Sequence, residues 1–498
     1  MNDMSPRPAR MMSEPLLSAD AWTDRLFSDG WVKPSGGVIA VQEPATETVL
    51  TQVGRADRSD VARAAASAKA AQPAWAALTA DARQAILLRA ADLLVEHAPD
   101  LAPWIMRESG SVAAKAAVEL EHAAGFVRQA GAMATEAAGL VLPSSPGKTS
   151  IARRVPLGVV AVISPFNFPL VLSIRAVAPA LATGNAVVLK PDPRTPISGG
   201  FLIARVFEAA GLPAGLLHVL PGDAEAGDAL CRDPNIAMVA FTGSTGAGRK
   251  VGEVAGAHLK KVALELGGKN PLIILDDADP DVAASNAAWG AWLHQGQVCM
   301  TAGRLLVQRG IHDAVVERLA AKAGHLPVGD PMRGDVALGP LISRGQLDRV
   351  HAIVSDTVAD GARLVAGGTH KGLCYAPTVL TGVAPGMRAF EEEIFGPIAA
   401  VTVFDDLDEA ARLANDGPYG LSAGIISGSV GRAMTLGAKL EVGHLHINDQ
   451  TVDAGPHSPF GGMKASGNGT RISGPANLDE FTTWRWETVK AAATAYPF

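Results

Sequence analysis

The sequence predicts an α/β protein with two lobes, each organised around a parallel sheet. Two observations carry this. Short β-branched runs alternate with Ala-rich helical patterns from residue 157 to about 266, and a second alternation of the same kind begins at 271. The chain, at 498 residues, is also too long for one hydrophobic core. Strands joined through helix-length connections form right-handed βαβ units, and such units build parallel sheets.

Taken in order, 57–70, 80–97 and 111–138 have helix-like composition and precede the first clear βαβ unit. The runs 157–163, 186–189, 216–220, 236–241 and 261–266 read as strands, with helices at 199–210 and 224–231 between them. A second lobe opens with a strand at 271–275, continues through a helix near 279–293, and runs to about 440. The lobes therefore meet near 265–270. The last segment, 470–498, carries Phe481, Trp484, Trp486, Tyr496 and Phe498 and has no domain of its own. Aromatics in a tail pack on something, either a partner subunit or the chain's own body.

Composition excludes several classes. With 48% hydrophobic residues, 53 Gly and 33 Pro, the chain is globular and turn-rich, neither fibrous nor disordered. A net charge of −7 argues against a nucleic-acid partner. The three cysteines, Cys231, Cys299 and Cys374, are too few and too scattered for a disulfide framework, and no CxxC or His/Cys cluster suggests a metal. A reducing, intracellular setting is expected, in which a free thiol can be kept for chemistry. No apolar run reaches the ~18 residues of a membrane span, and the first 16 residues lack the apolar core of a secretory signal. The expected location is the cytoplasm.

In a doubly wound sheet, ligands bind beyond the carboxyl ends of the strands. Ser164-Pro165-Phe166-Asn167-Phe168-Pro169 follows the first strand, and Lys190-Pro191-Asp192-Pro193 the second. Thr242-Gly243-Ser244-Thr245-Gly246 follows 236–241, and Glu265-Leu266-Gly267-Gly268 follows 261–264. Four strand ends thus bring an amide, an ammonium, a glycine-rich helix start and a carboxylate to one rim, a set a dinucleotide could use. Each has a plainer reading. The glycine turn is not the GxGxxG fingerprint and serves equally as a helix cap. Lys190 is by default a solvated lysine. Yet helix N-termini attract phosphate, which suits Ser244 to a pyrophosphate. Asn167, set between two aromatics and two prolines, is an odd choice for a plain turn, and its amide can donate to an oxyanion.

Cys299, in Gly296-Gln297-Val298-Cys299, adds the nucleophile. A thiolate attacks carbonyl carbon readily, and a carboxylate such as Glu265 can activate the water that releases the acyl group. A lone Glu after a strand or a lone Cys is more often structural than catalytic. The accompanying motifs reverse that prior.

Together these residues resemble the aldehyde dehydrogenase superfamily over nearly the whole chain. The stretches are SPFNFP (164–169), GNAVVLKP (184–191), FTGST (241–245), LELGGK (264–269), GQVCM (296–300), EIFGP (393–397) and SPFGG (458–462). The resemblance implies Cys299 as nucleophile, Glu265 as general base, and Asn167 with the Cys299 amide as oxyanion donors. It implies Lys190 and Glu393 at the cofactor riboses, Ser244 at the pyrophosphate, and Phe395 near the nicotinamide ribose. Thr242 and Gly243 would lie under the nicotinamide and Leu266 by its carboxamide, with Ser164, Pro165 and Phe166 also on the cofactor side. It further implies a discontinuous dinucleotide-binding domain (17–139, 157–265, 442–469), a catalytic domain (266–441) and an oligomerisation element (140–156, 470–498), hence a homodimer or homotetramer.

Two departures stand out. Pro193 occupies a position where many members carry Glu against the adenosine ribose, which leaves NADP⁺ open beside NAD⁺. Arg175 and Ala176 stand where several members carry Trp and Lys. Within the superfamily the chain is most similar to bacterial benzaldehyde dehydrogenases, with vanillin-type enzymes nearby. The stretches are KPDPRTPISGG (190–200), HQGQVCMT (294–301), HINDQTV (446–452) and the terminal AYPF (495–498). An aromatic aldehyde needs a flat apolar slot, which Phe168, Leu172, Trp289 and Phe460 could line; Leu172 and Trp289 read equally well as helix core. The expected activity is NAD(P)⁺-dependent oxidation of a benzaldehyde-type substrate to its acid. Vanillin, aliphatic aldehydes and semialdehydes are alternative substrates. A coenzyme A-acylating enzyme is disfavoured by Glu265, and a silent homologue by the intact Cys299, Glu265 and Asn167.

Overall fold

The structure is a computed structural model and describes residue 16 and residues 19–136 and 139–498. Residues 17–18, at the start of the expected first domain, and 137–138, at the end of an expected helix, lie outside the described residues. So do residues 1–15, where a secretory signal was judged absent from sequence.

The first sheet runs in the order Lys261–Glu265, Ile236–Thr242, Val159–Ile163, Ala186–Lys190, Leu217–Val219, and these five strands are parallel. Two short antiparallel strands, Leu26–Phe27 and Trp31–Val32, close its far edge. The four strand ends singled out in the sequence are therefore neighbours on one rim. Chain order reverses between Val159–Ile163 and Ile236–Thr242, and a reversal of this kind opens a crevice at the carboxyl ends. Every residue of Val159–Ile163 and Ala186–Lys190 is buried, as expected of a parallel sheet covered on both faces. The helix Pro169–Ala182 is buried along its whole length.

The second sheet runs Arg363–Ala366, Thr378–Thr381, Ile398–Phe404, Arg304–Gln308, Pro271–Ile274, Ser422–Ile426, His444–Ile447, parallel except at its first edge. This divides the segment 442–469, expected to return whole to the first lobe. His444–Ile447 extends the second sheet, because Ile447 packs on that lobe's core and Leu445 on the helix Val430–Gly437. Only beyond it does the chain reach the first sheet: Leu266 N donates to Ser466 O (3.0 Å) and Leu264 N to Asn468 Oδ1 (3.1 Å).

A third, antiparallel sheet joins Gly139–Val141, Lys148–Pro156 and Thr482–Lys490. The tail aromatics split between the two readings offered by the sequence. Phe481 is fully buried in the chain's own core, while Trp484, Trp486, Tyr496 and Phe498 are exposed. Among the described residues no helix is long and apolar enough to cross a membrane.

Candidate active site

On the rim, Ser244 caps the helix Thr245–Ala257, its Oγ accepting from Ala247 N at 3.4 Å. A Cβ built on Gly246 would meet nothing within 4 Å, so the first turn of that helix is open to an incoming group. Lys190 is buried at its strand end; its Nζ has only Pro191 O, at 3.4 Å, and desolvation holds its pKa below the usual lysine value. Across the crevice, Glu393 Oε1 accepts from Gly268 N at 3.2 Å. That approach requires glycine at 267, where a Cβ would stand 2.3 Å from Glu393 Oε2. Burial raises the Glu393 carboxyl to about 7. Phe166 and Phe395 meet edge to face, 5.9 Å between centroids, and Ser173 Oγ donates to Ser164 Oγ at 2.7 Å. Open amides at a helix start, a desolvated ammonium and a carboxylate are the donor set a dinucleotide's pyrophosphate and riboses require.

The chamber behind the rim is drier. Glu265 ends its strand at 2% exposure, and neither carboxylate oxygen has a hydrogen-bond partner among the described residues. Desolvation pushes its carboxyl to about 8, against the opposing pull of Arg175. Cys299 is a free thiol, half-buried at the residue level, and burial pushes it up to about 12, again opposed by Arg175. It packs with Val298, Met300, Leu421, Phe460 and Phe168.

The Cys299 backbone is clamped from both lobes. Asn270 Nδ2 donates to Cys299 O (2.9 Å) and Thr301 O (2.8 Å), and Thr451 Oγ1 donates to Met300 O (2.6 Å). Asn167 Nδ2 donates one hydrogen to Gln297 O at 2.9 Å, so its second N–H remains for a ligand near Cys299. Just upstream, His294 (φ 47°), Gln295 (φ 55°) and Gly296 (φ +67°) are all left-handed. Two of these are not glycine and cost on the order of 1–2 kcal/mol each, strain of the kind that persists where surrounding contacts enforce it. Gln295 Nε2, donating to Gly110 O at 2.9 Å, is one such contact.

Sequence reasoning did not single out what holds Asn167. Lys115 and Glu119, buried one helical turn apart, form an ion pair. Lys115 Nζ donates to Asn167 O at 2.8 Å and lies 4.2 Å from the Phe168 ring centroid. Glu119 Oε1 accepts from Leu170 N (2.9 Å) and Val171 N (3.2 Å) at the next helix's start. The signal was present as an i,i+4 Lys–Glu pair within an Ala-rich helix.

Of the four expected pocket residues, the structure gathers Phe168 and Phe460 around Cys299. Leu172 is buried but outside that cluster. Trp289 is 58% exposed, which corrects its expected place in the slot. Its helix, Pro280–Trp292, buries Ala283, Ala287 and Ala291, a four-residue repeat that turns position 289 outward.

Fold and site define an oxidoreductase that works through a nucleophilic thiol beneath a dinucleotide rim. The chain belongs to the aldehyde dehydrogenase family, whose profile matches residues 31–487. It is 52% identical to a vanillin dehydrogenase of Amycolatopsis sp., covering 97% of this chain and 99% of that one. It is 47% identical to benzaldehyde dehydrogenase [NAD(+)] of Pseudomonas putida, covering 96% and 98%. Among solved structures, a salicylaldehyde dehydrogenase from Pseudomonas putida G7, complexed with salicylaldehyde, superposes with a TM-score of 0.92 at 36% identity, covering 95% and 99%.

Proposed function

We propose that this protein oxidises an aromatic aldehyde of the benzaldehyde or vanillin type to its carboxylic acid, using NAD⁺. The observation that carries the reading is the buried pairing of a thiol, Cys299, with a carboxyl that has no protein hydrogen bond, Glu265. Phe168 and Phe460 beside the thiol supply the apolar surface an aromatic ring needs. The activities named for the two relatives and the solved structure above point to the same substrate class.

In this reading Cys299 Sγ adds to the aldehyde carbon, and the free N–H of Asn167 with the Cys299 amide receives the oxyanion. Bound NAD⁺ supplies the hydride acceptor, with Lys190 and Glu393 at its riboses and Ser244 at its pyrophosphate. Phe395, Ser164, Pro165, Phe166, Thr242, Gly243 and Leu266 complete its bed. Glu265 then takes a proton from the water that attacks the thioester. It does so only when ionised, so turnover rises with pH through about 8.

The exposed Leu140, Val141, Trp484, Trp486 and Val489 on the third sheet support a homo-oligomer assembled through that element. Three free cysteines support a reducing, cytoplasmic setting. The test is kcat/KM for benzaldehyde, vanillin, short aliphatic aldehydes and succinic semialdehyde, with NAD⁺ and with NADP⁺. Preference for the aromatic pair is expected; preference for an aliphatic aldehyde, or acyl-CoA formation without free acid, overturns the proposal.

A further inference from the structure

Arg175 is a buried cation for which the steps above have no use. It sits on the helix Pro169–Ala182, two turns beyond Asn167, at 3% exposure. Its Nη2 donates to Thr242 Oγ1 at 3.3 Å, and its Nε has no partner among the described residues. Thr242 is the register partner of Glu265 in the first sheet. The guanidinium also lies 4.7 Å from the centroid of Phe460, the ring that packs with Cys299. It is thereby wedged between the base and the nucleophile, contacting an immediate neighbour of each. Burying a guanidinium without a paired anion is costly, and the acidic groups it faces are Glu265 and Cys299.

We infer that Arg175 is the positioning cation of the chamber, whose fixed charge lets one negative charge alternate between Cys299 Sγ and Glu265 during turnover. The inference rests on the thiol mechanism proposed above. In attack, the sulfur lone pair forms the C–S bond, and the charge leaves the chamber with the hydride, giving a neutral thioester. Glu265, protonated at that stage, releases its proton to solvent and becomes the anion. In hydrolysis a water O–H bond breaks and its proton passes to Glu265. The water oxygen bonds the acyl carbon, and the C–S bond breaks with its electron pair on sulfur. The negative charge has then moved from Glu265 back to Cys299.

Other groups face this pair, but each acts on one member. Glu393 lies toward Cys299, Arg471 and Glu480 lie toward Glu265, and His444 with its neighbour His446 lies on the far side of Arg175. Among the described residues Arg175 is the cation that opposes the upward shift of both.

The test is Arg175→Gln beside Arg175→Lys in the full-length protein. Cys299 alkylation by iodoacetamide is followed against pH, with peptide mass spectrometry to separate it from Cys231 and Cys374. The Cys299 midpoint is expected to rise by about one pH unit or more in the Gln variant and to stay within about half a unit of the parent in the Lys variant. The Glu265-dependent rise of kcat with pH is expected to move up in the same order. A midpoint unmoved by Gln, or moved equally by Gln and Lys, overturns the inference. Should the Gln variant not fold, Lys decides: a parental midpoint supports the charge role, and a displaced midpoint with native melting contradicts it. An unmoved midpoint with Cys299→Ala still inactive removes Arg175 alone, whereas activity in Cys299→Ala removes the mechanism beneath it.

Discussion

The cofactor rim and the acyl chamber are adjacent, yet they are opposite kinds of site. On the rim, Ser244 and Gly246 are exposed, backbone amides point outward, and the charged groups have hydrogen-bond partners. In the chamber, Glu265, Asn167, Arg175 and His294 are buried, and the Glu265 carboxylate has no protein partner. A large anionic ligand is held by preformed dipoles that water can reach beforehand. Chemistry is held instead by groups whose desolvation displaces their proton affinities, upward for Cys299 and Glu265 and well below the ordinary value for His294. Binding and reactivity should therefore respond separately to mutation.

The largest separation is expected from Cys299→Ala. Oxidation falls by on the order of 10⁴-fold while NAD⁺ affinity, measured by fluorescence titration, stays at the parental value. Asn167→Ala is expected to lower kcat by about 10²–10³-fold, the usual cost of one oxyanion donor, again without weakening NAD⁺. Glu265→Gln is expected to retain a first-turnover burst of NADH and to lower the steady state by about 10²-fold, with loss of the rise in kcat through pH 8. On the rim the pattern inverts: Glu393→Gln is expected to raise KM for NAD⁺ about tenfold and leave kcat nearly unchanged.

The smallest effect concerns stability. The Glu265 carboxyl is raised from 4.5 to about 8 in the folded protein, so its neutral form favours folding. That contribution is complete below pH 4.5 and is lost as pH rises through 8. Glu265→Gln should therefore melt close to the parent at pH 5 and on the order of a few degrees higher at pH 9. Equal melting temperatures at both values would mean the carboxyl is better solvated than its surroundings indicate.

Much of the rim was legible because each of its groups follows a strand that reads cleanly in the sequence. Val159–Ile163 and Ala186–Lys190 are continuous apolar runs, and the order of their neighbours follows from handedness rules. The chamber was legible only in its reacting atoms. Its supports come from distant segments: Lys115 and Glu119 from an early helix, Asn270 from the junction between lobes, Thr451 from late in the chain. The helix Ala98–Ser109 was not anticipated because prolines at 99 and 103 read as breakers, although the first sits in the opening turn where proline is tolerated. The hairpin of Val38–Glu43 and Thr48–Gly54 was missed because its strands are largely solvent-exposed, with few apolar positions buried. His444–Ile447 went to the wrong lobe because four residues cannot announce which sheet edge they complete.

The division of labour between thiol and carboxyl is tested most directly by mixing the Glu265→Gln variant with benzaldehyde and NAD⁺ and measuring the mass of the intact protein. One benzoyl group per chain should appear with the NADH burst and map to the peptide carrying Cys299. A variant that turns over without ever holding that group, or that carries it on Cys231 or Cys374, would contradict the account.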